Sequence, residues 1–311
     1  MIKPKPLKHG DTIGVIAPAS PCYEQDRIEL GIRTLEEMGF RVKLGRSCLS
    51  RYGYLAGKDD IRAYDINTMF EDKDVHGIIC LRGGYGTPKI LDKIDYDLIR
   101  NNPKVYVGYS DITATHIAIN QLSGLVTFHG PMVTIEMAED FDDFSRKSLL
   151  DFIMGKENPK SLSNPNGEKI GCFYGGRCEG KLIGGNLTLI CATLGTAYEI
   201  DTRGKILFLE DTKEEPYSID RMLIQLNLAG KFEDCEGIIL GDFNECIAEH
   251  PNKSLTLEQV FEDIIRTLKK PTIYNFMAGH CKPQITLPMG RKVSMNAYKG
   301  EVTLLDCATI D

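Results

Sequence analysis

The chain has 311 residues, 42% hydrophobic and 26% charged, which is the balance of a folded globular protein and excludes a disordered or fibrous one. A formal charge of −7, with lysines and arginines scattered rather than clustered, argues against a nucleic-acid backbone or an anionic membrane as partner. No run approaches the roughly 18 apolar residues of a membrane span, and residues 1–11 lack the apolar stretch of a secretory signal, so the expected location is the cytoplasm.

Ten cysteines include no Cys-x-x-Cys pair, and several, such as Cys80 and Cys191, sit inside apolar runs; they read as reduced, buried thiols. The length favours two domains. In the first half, β-rich runs at 12–17, 41–44, 77–81, 104–108 and 125–129 alternate with amphipathic stretches at 24–38, 59–70, 86–94 and 111–122. This rhythm predicts an α/β fold with a Rossmann-like, doubly wound parallel sheet over 1–154, whose ligands gather at the strand C-terminal ends. Residues 155–176, rich in Asn, Pro, Ser, Lys and Gly, are expected as a linker. The remaining 177–311 predict a smaller mixed α/β domain. It would have strands at 181–183, 205–209 and 237–240, helices near 187–194 and 218–228, and an antiparallel finish at 285–287, 292–297 and 301–305.

Four places in this order carry side chains suited to chemistry. VYVGYSDITA at 105–114 runs a strand into a glycine and delivers Ser110 at a helix start, where free N–H groups can stabilise an oxyanion. The match to G-x-S-x-G is incomplete, since Ile112 holds the second glycine position, and an ordinary helix N-cap fits Ser110 equally on local grounds. CLRGGYG at 80–86 lets the backbone approach a ligand closely but lacks the lysine and hydroxyl of a P-loop. KILFLED at 205–211 ends an apolar strand with Glu210 and Asp211, and AGHC at 278–281 places His280 beside a glycine; solvated strand and loop ends would look the same. Ser110, Glu210 and His280 together have the types of a nucleophile, an orienting acid and a base. No H-E-x-x-H or zinc-like Cys/His spacing is present, so metal catalysis is not expected.

Taken in order, GVIAPAS at 14–20, LRGGYG at 81–86, GYSDIT at 108–113, GKLIGGNL at 180–187, LED at 209–211 and GH at 279–280 resemble the LD-carboxypeptidase family of serine peptidases nearly end to end. The resemblance implies Ser110 as nucleophile, His280 as general base and Glu210 as the carboxylate that orients it. It also implies an oxyanion hole from the N–H groups of Asp111 and Gly84, with Gly83 as the alternative, and substrate binding by Arg82 and Gly83. The implied reaction releases a C-terminal D-amino acid, such as D-alanine from a murein tetrapeptide, without any cofactor and in a cytoplasmic homodimer. Two alternatives stay open: cleavage of peptidyl or aminoacyl adenylates, as in microcin immunity, and a non-catalytic protein that binds a phosphorylated metabolite.

Overall fold

The computed structural model describes residues 1–155 and 160–310. The chain forms two compact units. One takes in the described residues of Met1–Glu157, Thr286–Gly290 and Cys307–Asp311; the other takes in those of Asn158–Ile285 and Arg291–Asp306.

The first unit is built on a six-stranded sheet in the order Leu287–Met289, Thr127–His129, Val105–Gly108, Gly77–Cys80, Thr12–Ile16, Arg41–Leu44. Its last five strands are parallel, in the flavodoxin-like order of a doubly wound sheet. Every residue of Gly77–Cys80 and Val105–Gly108 is buried, as expected for strands covered on both faces, which is why they read as unbroken apolar runs. Helix Gln25–Glu37 buries the stripe Ile28, Gly31 and Leu35, and helix Asp143–Ile153 starts on Asp142, whose carboxylate accepts the N–H of Ser145. The stretch expected as one helix over 111–122 is instead a 3-10 turn, Ser110–Ile112, then helix Thr113–Ala118 and a π turn, Ile119–Ser123, closed by left-handed Gly124.

The second unit holds an eight-stranded mixed sheet in the order Lys160–Leu162, Glu301–Leu304, Lys292–Asn296, Arg177–Asn186, Lys205–Thr212, Gly237–Asn244, Thr272–Tyr274, Gly171–Tyr174. Arg177–Asn186, Lys205–Thr212, Gly237–Asn244 and Thr272–Tyr274 run parallel, and the outer pairings are antiparallel. Within the stretch read as a linker, Lys160–Leu162 and Gly171–Tyr174 are therefore the two edge strands of this sheet. They are three and four residues long and poor in β-branched side chains, so their pairing partners, not their own pattern, define them.

The strand expected at 285–287 lies at Leu287–Met289 and leaves the antiparallel finish to pair with Thr127–His129 in the first unit's sheet. It buries Leu287 and Met289 there, and Pro288 is tolerated because the strand is at the sheet edge. Among the described residues, no helix is long and apolar enough to cross a membrane.

Candidate functional site

In the first unit, strand Val105–Gly108 is followed by extended Tyr109 and then by Ser110 at φ 64°, a left-handed conformation that costs a non-glycine residue about 1–3 kcal/mol. The strand thus turns sharply into the helix and presents the Ser110 side chain at the sheet's C-terminal end, where Ser110 is only partly buried. Ile112 stands at the second glycine position of the G-x-S-x-G motif, and its side chain packs over Gly108, where a Cβ would come within 3.0 Å of it. His116 is buried and burial pushes its imidazole down to about 4; the neutral ring donates Nε2–H to the Gly108 carbonyl at 2.7 Å and fixes the strand end.

The glycine loop lies against the serine. A Cβ on Gly83 would stand 2.8 Å from the Ser110 Cβ, 3.0 Å from its Oγ and 3.4 Å from the Asp111 nitrogen, so only glycine fits. Gly84, at φ 112°, is equally tight against Ser20, whose Oγ accepts the N–H of Tyr85 at 3.1 Å. Fully buried Arg62 ties the loop down by donating Nη1 to the carbonyls of Pro18 and Gly86. Arg82 makes one long bond, Nη1 to the Pro21 carbonyl at 3.5 Å, and its buried Nε has no hydrogen-bond partner. Asp111 turns its carboxylate away from the serine: Oδ2 accepts the Thr87 N–H at 2.8 Å, and the Asp111 carbonyl accepts the Thr87 hydroxyl at 2.5 Å.

In the second unit, Glu210 is 0% exposed at the end of strand Lys205–Thr212, and its Oε2 lies 2.6 Å from His280 Nδ1. Burial pushes the Glu210 carboxyl up, and the neighbouring imidazole opposes that shift. Gly279 makes the approach possible: at φ 109°, a Cβ there would meet Glu210 Oε2 at 2.6 Å. Strand alternation sends Asp211 to the other face. There it accepts Asn186 Nδ2, Thr188 N and Oγ1, and Thr212 N, all within 2.8–2.9 Å, and anchors the start of helix Leu187–Ala192. The structure therefore brings Glu210, not Asp211, to the histidine.

One acidic residue escapes a reading of the sequence. The ladder pairs Leu240 with Leu209 and Phe243 with Asp211, so a bulge sets Gly241 and Asp242 opposite Glu210. Burial pushes the Asp242 carboxyl up and His280 pulls it down, so a second carboxyl senses the imidazole. Its only sequence signal is a Gly-Asp step after an apolar run. Among the described residues, no group of three or more His, Cys, Asp or Glu could hold a metal ion.

Residues 13–130 match the LD-carboxypeptidase N-terminal domain and residues 179–295 the LD-carboxypeptidase C-terminal domain. The chain is 47% identical over 297 residues to the "Probable murein peptide carboxypeptidase" of Bacillus subtilis, covering 94% of this chain and 91% of that protein. It is 31% identical over 293 residues to the murein tetrapeptide carboxypeptidase of Pseudomonas aeruginosa, covering 90% and 91%. A solved structure of microcin C7 self immunity protein in complex with aspartyl sulfamoyl adenosine is similar with a TM-score of 0.92 at 25% identity over 100% of both chains.

Two outcomes follow from this geometry. Gly279→Ala should separate Glu210 from His280; the low-field imidazole proton of a short Nδ1–H···carboxylate bond, visible by proton NMR in the parent, should vanish, and its persistence would contradict the packing. Asp111, whose carboxyl burial pushes up to about 6, holds its proton more tightly when folded. Its stabilising contribution is complete below the ordinary carboxylate value near 3.8 and is lost as pH rises through about 6. The melting temperature of Asp111→Asn should therefore gain on the parent between about pH 4 and pH 7, whereas a constant difference across that window would contradict the shift.

Proposed function

The chain belongs to the LD-carboxypeptidase family, and from that premise we propose that it releases the C-terminal D-amino acid of murein tetrapeptides, with Ser110, Glu210 and His280 as its catalytic residues. The observation that carries this reading is the buried carboxylate bonded to the His280 Nδ1 at 2.6 Å. With Glu210 ionised, it holds the imidazole in the tautomer that carries its proton on Nδ1 and presents Nε2 as the base.

Ser110 Oγ attacks the carbonyl of the bond between the L-centre and the terminal D-alanine, and His280 Nε2 takes the hydroxyl proton. The oxyanion is held by the N–H of Asp111 and a second N–H from Gly84 or Gly83. Collapse breaks the C–N bond, His280 protonates the departing amine, and D-alanine leaves. Water then attacks the Ser110 ester, giving one proton to His280; collapse frees the tripeptide carboxylate and returns a proton to Ser110. The sum is one water consumed for one peptide bond broken. We assign the substrate's terminal carboxylate to Arg82, whose buried Nε lacks a partner, beside Gly83.

No cofactor takes part in this scheme, and the protein is proposed to act in the cytoplasm as a homodimer, as the family resemblance implies. Sedimentation at the mass of one chain would contradict the dimer. A second reading, hydrolysis of aminoacyl adenylates, draws on the full-length likeness to the self immunity protein crystallised with aspartyl sulfamoyl adenosine. The murein reading is favoured because a D-alanine leaving group needs only a tight pocket and a carboxylate donor, whereas an adenine gains from a broad aromatic platform and this chain has no tryptophan.

Mass spectrometry of matched tetrapeptides ending in D- or L-alanine, beside an aminoacyl sulfamoyl adenosine, tests the choice. D-alanine alone should be released; turnover of the adenylate analogue with a kcat/KM about a hundredfold above the D-alanine peptide would transfer the assignment. Ser110→Ala should lower kcat by about four orders of magnitude with little change in melting temperature, and Glu210→Gln should cost less than that. A Ser110→Ala enzyme keeping about a tenth of kcat would reduce Ser110 to a cap. Activity should fall on acidification as His280 takes up a proton; a rate constant from about pH 8 to about pH 4.5 would require a base other than histidine.

A further inference from the structure

Beyond strand Thr127–His129 the chain makes a turn over residues 130–139 that touches both halves of the first unit's site. Val133 donates its N–H to the Cys80 carbonyl at 3.3 Å, and Thr134 donates both N–H and Oγ1–H to the Leu81 carbonyl at 2.9 and 3.0 Å. Cys80 and Leu81 immediately precede the loop of Arg82, Gly83 and Gly84. Two residues after Thr134, the carboxylate of Glu136, 8% exposed, accepts the Tyr109 hydroxyl at Oε1 (2.7 Å) and the Met132 N–H at Oε2 (2.8 Å). Tyr109 immediately precedes Ser110.

The turn is itself braced by helix Gln25–Glu37. Arg27 donates Nε and Nη2 to the Thr134 carbonyl at 3.1 and 2.8 Å and pairs with Glu139 at 2.6 Å. Gly31 brings that helix so close that a Cβ would stand 2.3 Å from the Val133 carbonyl oxygen. We propose that this turn is a positioning clamp, with Glu136 and Thr134 as positioning residues, that sets the spacing between the Gly83–Gly84 backbone and the Ser110 oxygen.

The inference rests on the reading of Ser110 as nucleophile and of the glycine loop as an oxyanion donor. Two loops that must meet one carbonyl within hydrogen-bond tolerance are held by one rigid piece, so an error in either is an error relative to the same frame. Ser110 has left-handed backbone, a conformation that relaxes unless its neighbours over-determine it. The Tyr109 hydroxyl is one such restraint, anchored on a carboxylate that a second donor also fixes.

The test uses a tetrapeptide analogue whose last amide is replaced by an ester, so that acylation outpaces deacylation and a burst reports both the fraction of competent enzyme and the acylation rate. Tyr109→Phe, Glu136→Leu and Thr134→Val each remove polar contacts with little change in shape. Each should keep full burst amplitude and the parent's acid-limb midpoint while the burst rate falls about tenfold, with KM for the peptide within about twofold. Tyr109→Phe combined with Glu136→Leu should be no slower than the slower single variant, since Glu136→Leu already deletes the bond that Tyr109→Phe removes. Burst rates within about twofold of the parent, or a reduced amplitude at the parent rate, would overturn the clamp and leave the Ser110 reading standing. A parent enzyme with neither burst nor D-alanine release would instead remove the Ser110 reading, and the clamp with it.

Discussion

The first unit depends on a single costly dihedral. Ser110 stands in left-handed backbone at φ 64°, which propensity alone would not maintain. Much of the packing around it reads as the means of keeping it there. Ile112 packs tightly over Gly108, His116 holds the Gly108 carbonyl, and Thr87 takes both the carboxylate and the carbonyl of Asp111. Tyr109 is tied to Glu136. The restraints come from either side of the serine in the chain, which is what over-determination of a strained residue requires. The serine is thereby presented at the C-terminal end of a parallel strand, where doubly wound sheets bind their ligands.

The second unit solves a different problem, that of keeping a fully buried carboxylate available to an imidazole. A fully buried Glu210 is tolerable only with a strong partner, and His280 Nδ1 supplies it. Adjacent acids are then sorted by the pleat of the strand: Glu210 goes to the imidazole, while Asp211 is consumed by four donors at a helix start. The bulge at Gly241 and Asp242 adds a second carboxyl within reach of the imidazole's charge. Bulges re-aim side chains beside functional groups, and this one faces Glu210 itself.

How much of this is legible without coordinates varies by element. The parallel strands of the first unit announce themselves because burial on both faces leaves nothing but apolar residues in Gly77–Cys80 and almost nothing else in Val105–Gly108. The edge strands Lys160–Leu162 and Gly171–Tyr174 do not, since three or four residues of mixed character acquire strand geometry only from their neighbours. Leu287–Met289 pairs with a strand about 160 positions away, and no local pattern encodes such a pairing. Ser110, Glu210 and His280 are each weak as isolated positions and gain weight from their order and the motifs around them. Glu136, Thr134 and Asp242 leave no motif, because their partners are set by tertiary hydrogen bonds and by a register shift.

The central claim is that Ser110 forms a covalent ester with the acyl part of a peptide ending in D-alanine. Acid-quenching the enzyme early in its reaction with an ester analogue of the tetrapeptide, followed by proteolysis and tandem mass spectrometry, locates that bond directly. The account predicts the mass increment of the tripeptide acyl group on the fragment containing Ser110, assigned to that side chain and absent when the analogue's terminal D-lactyl group is replaced by its L-isomer. An increment on any other nucleophile, with Ser110 unmodified during turnover, would contradict it.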